Sequence, residues 1–325
     1  MINIKYSNNK YLLKFIIITF IFLIKLFINS KNDSNKIFDI HFKYHYFQRE
    51  IITKKMKKYS LWQLHHNEPY FLNGIIRKYK PKKCLEIGVA HGGSSIIILN
   101  AIKDINDSFL ISLDLNTVLY CNKKLKTGDT VYKYFPELTK NWKLYTGDQP
   151  HKFLDKLNIK FDFLLLDTAH YSPGELINII EVLPFLENNA IIVLHDIMYH
   201  LPSNKHYRPK EYKMHPSNIL LMTSLYGDKV IIENKNKSIE NIGAIRLYPN
   251  QKKYYLNYFL LLLSPWEYFP NNNHINDLKS FIKKYYKKQI YLDLFNKAVE
   301  ENQKYINNFK KFYNSYNPIF EKYKL

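Results

Sequence analysis

The chain has 325 residues and is 46% hydrophobic, enough for one ordinary domain with substantial extensions or for two small domains. Its formal charge of +20 invites a nucleic-acid partner, but the charge is unevenly spread: Lys and Arg outnumber Asp and Glu 17 to 4 in residues 1–83 and 21 to 10 in residues 201–325, and trail them 10 to 14 in residues 84–200. A mildly acidic centre with basic flanks and no visible RNA-reading module argues against a nucleic-acid partner, and two cysteines without Cys/His metal spacing argue against a disulfide scaffold and fit a reducing compartment.

The first predicted element is Leu12–Ile28, an apolar run broken only by Lys14, Thr19 and Lys25. As a helix it reaches ~25 Å, short of a ~30 Å hydrocarbon core. Its two lysines sit near the ends on nearly one face, where they can snorkel. A short membrane anchor, an in-plane interfacial helix and a buried helix all fit. Membrane association through residues 12–28 is the preferred reading. Asn29-Ser30-Lys31-Asn32 offers no signal-cleavage site. Residues 31–80 read as a basic helical region that follows this 1–30 segment.

From Pro81 to residue 248 the pattern alternates. Short apolar strands are predicted at Cys84–Ile87, Phe109–Leu113, Trp142–Tyr145, Phe161–Leu166 and Ala190–Leu194. Helices are predicted at Ser94–Ile102 and Glu175–Leu186, and Val230–Glu233 with Ala244–Leu247 reads as a closing pair. This argues for an α/β fold with a parallel sheet covered on both faces. Residues 249–325 read as a helical extension. Leu278, Phe281, Tyr285, Leu292, Phe295, Val299, Ile306, Phe309, Tyr313 and Tyr316 fall on one heptad seam, interrupted at Lys288 and Asn302. The seam suits either packing against the sheet or self-association into a homo-oligomer.

Glu86-Ile87-Gly88-Val89-Ala90-His91-Gly92-Gly93-Ser94 follows a strand and opens a helix. Glycine lets a cofactor approach the backbone, and the helix N-terminus offers free N–H groups. The G-x-G-x-x-G pattern of dinucleotide binders is absent. E-x-G-x-x-x-G before a small hydroxylated residue resembles the first motif of class I S-adenosylmethionine-dependent methyltransferases. The resemblance implies a Rossmann-like, doubly wound methyltransferase sheet. It implies S-adenosylmethionine as cofactor, with Glu86, Gly88, Gly92 and Ser94 around its methionine end, and, because that cofactor is a cytosolic metabolite, a catalytic part in the cytoplasm, on the cytoplasmic face of any membrane it is attached to. Asp114, at the end of the second strand, is placed to accept both ribose hydroxyls. Asp148, after the third strand, takes the position where the family often has an acidic residue near the adenine.

Asp167 and Asp196 end the fourth and fifth strands, so two hard oxygen ligands converge beside a cleft and suit Mg²⁺ or another divalent cation. The arrangement is similar to that of the metal-dependent O-methyltransferases of the catechol and sugar types. The Asp167-x-x-His170 spacing is closer to the sugar branch and implies His170 as the base. His195 stands where an acidic third ligand is common, and Ile197 where the catechol type has Asn. These residues imply O-methylation of a small-molecule or glycan acceptor, such as a sugar hydroxyl of an envelope glycan. Two other readings are a nucleic-acid methyltransferase or binder using the basic flanks, and a non-catalytic membrane-attached nucleotide-binding scaffold.

Overall fold

The structure, a computed structural model, describes residues 64, 67–120, 122–168, 171–198, 217–233 and 239–312. The hydrophobic segment 12–28 and His170 lie outside these residues. Among the described residues no helix is long and apolar enough to cross a membrane.

Helix α1 (Glu68–Tyr79) leads into β1 (Lys83–Ile87), α2 (Gly93–Ile102), β2 (Phe109–Asp114), α3 (Asp129–Tyr134), β3 (Trp142–Thr146), α4 (Pro150–Leu157) and β4 (Phe161–Leu166). The chain continues through α5 (Gly174–Val182), β5 (Leu186–His195), α6 (Ser217–Ser224), β6 (Gly227–Glu233) and β7 (Ile239–Leu247) to α7 (Tyr255–Leu261), α8 (Asn272–Tyr286) and α9 (Gln289–Phe312). The sheet runs β3-β2-β1-β4-β5-β7-β6. Strands β1 to β5 pair in parallel, and β7 pairs antiparallel with both β5 and β6. This is a Rossmann-like, doubly wound sheet, with its order reversing between β1 and β4.

The strands read as continuous apolar runs because both faces are covered. Cys84, Leu110, Phe163 and Ile191 lie in one cross-strand row and pack with Phe71, Leu72, Ile75 and Ile76 of α1 and with α2. The next row, Leu85, Ile111, Leu164 and Ile192, faces the other way, into a core shared with α5 and α7 to α9. A shift of one residue in any strand would exchange these two sets. Cys84 is a free, buried thiol, and burial pushes its pKa well up.

Helix α5 stops at Val182, four residues before the predicted end, and a 3-10 turn covers Leu183–Phe185. Pro184 explains the difference, since it cannot continue an α-helical ladder. The released chain begins β5 early, at Leu186.

The carboxyl-terminal seam is used within the chain. Leu278, Phe281, Leu292, Phe295 and Ile306 are buried in the same core as β1 and β4. Its polar interruptions have separate causes. Lys288 falls in the break between α8 and α9, where Lys287 takes a left-handed φ of 58°. Asn302 is 2% exposed and accepts from Trp266 N (2.8 Å) while donating to the carbonyls of Ala298 (3.0 Å) and Leu262 (3.4 Å). Such an amide fixes one register of packing, because any shift leaves buried polar groups unpaired.

Candidate active site

The loop after β1 is built from left-handed backbone: Gly88 has φ 90°, Ala90 46° and Gly92 94°. A Cβ at Gly88 would lie 1.7 Å from the carbonyl oxygen of Asp167. The loop therefore rests directly on the backbone that leaves β4. A Cβ on Gly92 would meet Val131 Cγ2 at 2.5 Å. Both glycines are thus required by the chain's own packing, a reason that the loop's spacing alone did not reveal.

Asp114 holds the loop in place. Its Oδ2 accepts from Val89 N (2.8 Å) and Ala90 N (3.1 Å), and its Oδ1 accepts from Asn116 N (2.8 Å). A carboxylate has about four acceptor positions, so one remains on Oδ1, enough for a single ribose hydroxyl rather than two. Asp114→Ala is expected to loosen the loop and weaken S-adenosylmethionine binding by ~1.5–3 kcal/mol, tenfold or more. Isothermal calorimetry checks this, and unchanged affinity would remove Asp114 from the cofactor site.

Glu86 and Ser94 lie beneath the loop instead of in an open pocket. Glu86 is fully buried and accepts from Ser94 Oγ, Ser95 Oγ and Ser112 Oγ, each at 2.6 Å. Trp142 Nε1 donates in turn to Ser112 Oγ at 2.8 Å. Burial pushes the Glu86 carboxyl up to about 7 despite these bonds. The motif's acidic residue ties β1, β2 and the start of α2 together from inside. Asp148 sits apart, after β3, where it accepts from Gln149 N and pairs with Lys152 at 3.2 Å.

Asp167, His195 and Asp196 converge at the ends of β4 and β5. His195 Nδ1 lies 3.3 Å from Asp167 Oδ1 and 3.3 Å from Asp196 Oδ2, and its Nε2 lies 3.2 Å from Glu68 Oε2. Nδ1 is buried with no aligned hydrogen bond. One donor atom from each of Asp167, His195 and Asp196 falls within 4.8 Å of the others, the compactness a cation needs. Burial pulls the His195 imidazole down, but the charges of Asp196 and Asp167 outweigh this and hold it well above the ordinary histidine range. The same field would hold a cation.

Three residues not found by sequence reasoning support this cluster. Glu68 opens α1, and 127 residues separate it from His195. Asn241 of β7 donates to Asp196 Oδ1 and accepts from Met198 N at 2.7 Å. Asn218 Nδ2 donates to the His195 carbonyl at 2.7 Å. No local spacing marks any of them, since each acts across the sheet.

Residues 85–197, which contain every candidate above except Glu68, Asn218 and Asn241, match the family described as a methyltransferase domain. This segment is a methyltransferase domain. No curated protein matches the chain. Among solved structures, this chain is similar to TomG, an O-methyltransferase from Streptomyces achromogenes involved in tomaymycin synthesis, in complex with SAM. That likeness has 12% identity and a TM-score of 0.42, covering 60% of this chain and 86% of that one. An O-methyltransferase from Bacillus cereus in complex with SAH gives 12% identity and a TM-score of 0.43, over 60% of this chain and 88% of that one. These scores are too low to carry an argument of their own. The sheet order and the family match carry the assignment.

Proposed function

We propose that the methyltransferase domain moves a methyl group from S-adenosylmethionine to an oxygen nucleophile at the carboxyl edge of β1, β4 and β5. The observation that carries this reading is the contact of the Gly88 loop with the Asp167 backbone. It puts the cofactor loop and the Asp167–His195–Asp196 cluster side by side at the point where the sheet order reverses, the usual ligand crevice of such sheets.

In this reading Asp114 and the Gly88–Gly92 loop orient the cofactor, so that an acceptor oxygen meets the methyl carbon in line. Asp167, Asp196 and His195 would hold a divalent cation, and the buried, unaligned Nδ1 of His195 fits that role. A bound cation lowers the pKa of an acceptor hydroxyl. An imidazole among the ligands favours Mn²⁺ or another transition ion over Mg²⁺. His170, three residues beyond Asp167, takes the hydroxyl proton. The finer reading, a saccharide hydroxyl of an envelope glycan, rests on the Asp167-x-x-His170 spacing. The basic flanks suit an anionic acceptor or surface.

The test is a methyl-transfer assay on metal-stripped protein, restored separately with Mg²⁺, Mn²⁺ or Zn²⁺, together with His170→Ala. Activity is expected to vanish in EDTA and return best with Mn²⁺. His170→Ala should lose at least ~10²-fold in rate with cofactor affinity kept. Full activity in EDTA removes the cation, and a fully active His170→Ala removes the base. Mass spectrometry of envelope glycans from cells with and without the gene tests the acceptor, where an unchanged methyl pattern counts against the saccharide.

A further inference from the structure

A second cluster lies outside the reading above. His151 opens α4, Glu181 lies near the end of α5, and His274 stands in the first turn of α8. One donor atom from each falls within 4.8 Å of the other two. Glu181 Oε1 is 2.5 Å from His151 Nδ1 and 3.7 Å from His274 Nε2. The two imidazole rings stack at 6.0 Å with planes 11° apart. Glu181 is fully buried, and the His151 and His274 side chains are 6% and 11% exposed.

Two observations separate this cluster from an ordinary buried hydrogen-bonded triad. His274 Nε2 is buried, has no hydrogen-bond partner, and stands 3.7 Å from Glu181 Oε1, too far to bond with it. His151 Nε2 is buried without a partner as well. The remaining oxygen of Glu181 is already oriented, accepting from Asn178 Nδ2 at 2.9 Å. Asn178 Oδ1 in turn accepts from Thr168 Oγ1 at 3.1 Å, next to Asp167. Outer-layer hydrogen bonds of this kind set the direction of a ligating carboxylate.

We propose that His151, Glu181 and His274 form a zinc-binding site that fastens α8, the start of the carboxyl-terminal helices, to α4 and α5 of the methyltransferase domain. Two imidazoles and one carboxylate are a zinc donor set, with water as the fourth ligand. Tetrahedral ligation at ~2.0–2.1 Å sets donor atoms ~3.3 Å apart, and the two separations from Glu181 Oε1 lie on either side of that value. The ligands come from three distant stretches of chain, which is why the sequence shows no zinc spacing. An ion pair runs beside them, with Lys152 bridging Asp148 at 3.2 Å and Asp277 at 3.0 Å.

The experiment uses the full chain, stripped with chelator and titrated with Zn²⁺ and then with Co²⁺ as a spectroscopic substitute. Wild-type protein and Asp196→Asn are expected to bind one equivalent of Zn²⁺ that His274→Gln and His151→Gln do not. Co²⁺ at this site should give the strong visible absorption of four-coordinate cobalt. Zn²⁺ at 100 times its dissociation constant should raise Tm by about 5 °C in wild type and leave that of His274→Gln unmoved. Equal binding by wild type and His274→Gln, or loss of this equivalent in Asp196→Asn alone, overturns the proposal. X-ray absorption of protein carrying one zinc gives an answer that needs no variant. Two imidazoles in the first shell support the site, and one or none rejects it.

Discussion

Gly88→Ala is expected to cost about 3–5 kcal/mol of stability, far more than a change confined to a ligand pocket. Two terms combine. The left-handed φ of 90° costs a non-glycine residue ~1–3 kcal/mol. The added Cβ also meets Asp167 O at 1.7 Å and Asp167 C at 2.7 Å, backbone atoms that cannot swing aside. Relieving the clash means separating the ends of β1 and β4, at a cost typical of an overpacked core. Gly92→Ala is the control, since it shares a left-handed φ of 94° but its Cβ clashes with a side-chain atom alone, Val131 Cγ2, at 2.5 Å. A Val131→Ala partner should restore part of its stability and should do nothing for Gly88→Ala. Urea unfolding of the four variants measures this. If Gly88→Ala unfolds like wild type and loses only cofactor affinity, the loop's glycine serves the ligand and not the fold.

His195→Ala is expected to cost ~3–5 kcal/mol near pH 6, because it leaves Asp167, Asp196 and Glu68 facing one another with their shared cationic partner gone. The effect has a definite pH dependence. His195 binds its proton more tightly in the folded chain than in the unfolded one. Its stabilisation is therefore full below the ordinary histidine pKa of ~6.5 and fades as pH rises through the raised folded value. The gap between wild type and His195→Ala in metal-free urea unfolding should narrow as the buffer is taken from pH 6 to pH 9. A gap that stays constant would mean that His195 contributes packing alone.

The parallel strands were legible because burial on both faces writes them as uninterrupted apolar runs, and β1, β2 and β4 fall within one residue of their predicted ends. The convergence of Asp167 with Asp196 was legible for a related reason, since adjacent parallel strands bring their ends together. Glu86 was harder to place. Its spacing from the glycines marked it as part of the loop motif, but only the structure reveals three serine hydroxyls around it. Glu68, Asn218, Asn241 and the His151–Glu181–His274 group were not legible, because their meaning arises from elements that meet only after the sheet has formed. The seam of α8 and α9 had two outcomes that periodicity cannot separate. The burial of Leu278, Phe281 and Phe295 against the sheet settles where those side chains go.

Asn241 and Asn218 hold the chain on either side of residues 199–216, one through Met198 N and the other through the His195 carbonyl. Asp196 itself is held from two sides, by β5 and by Asn241 of β7. Asp196 and Asn241 stand 45 residues apart in sequence yet meet at one carboxylate, so a substitution at either is felt at the other, and the two positions are expected to change together in descendants of this sequence.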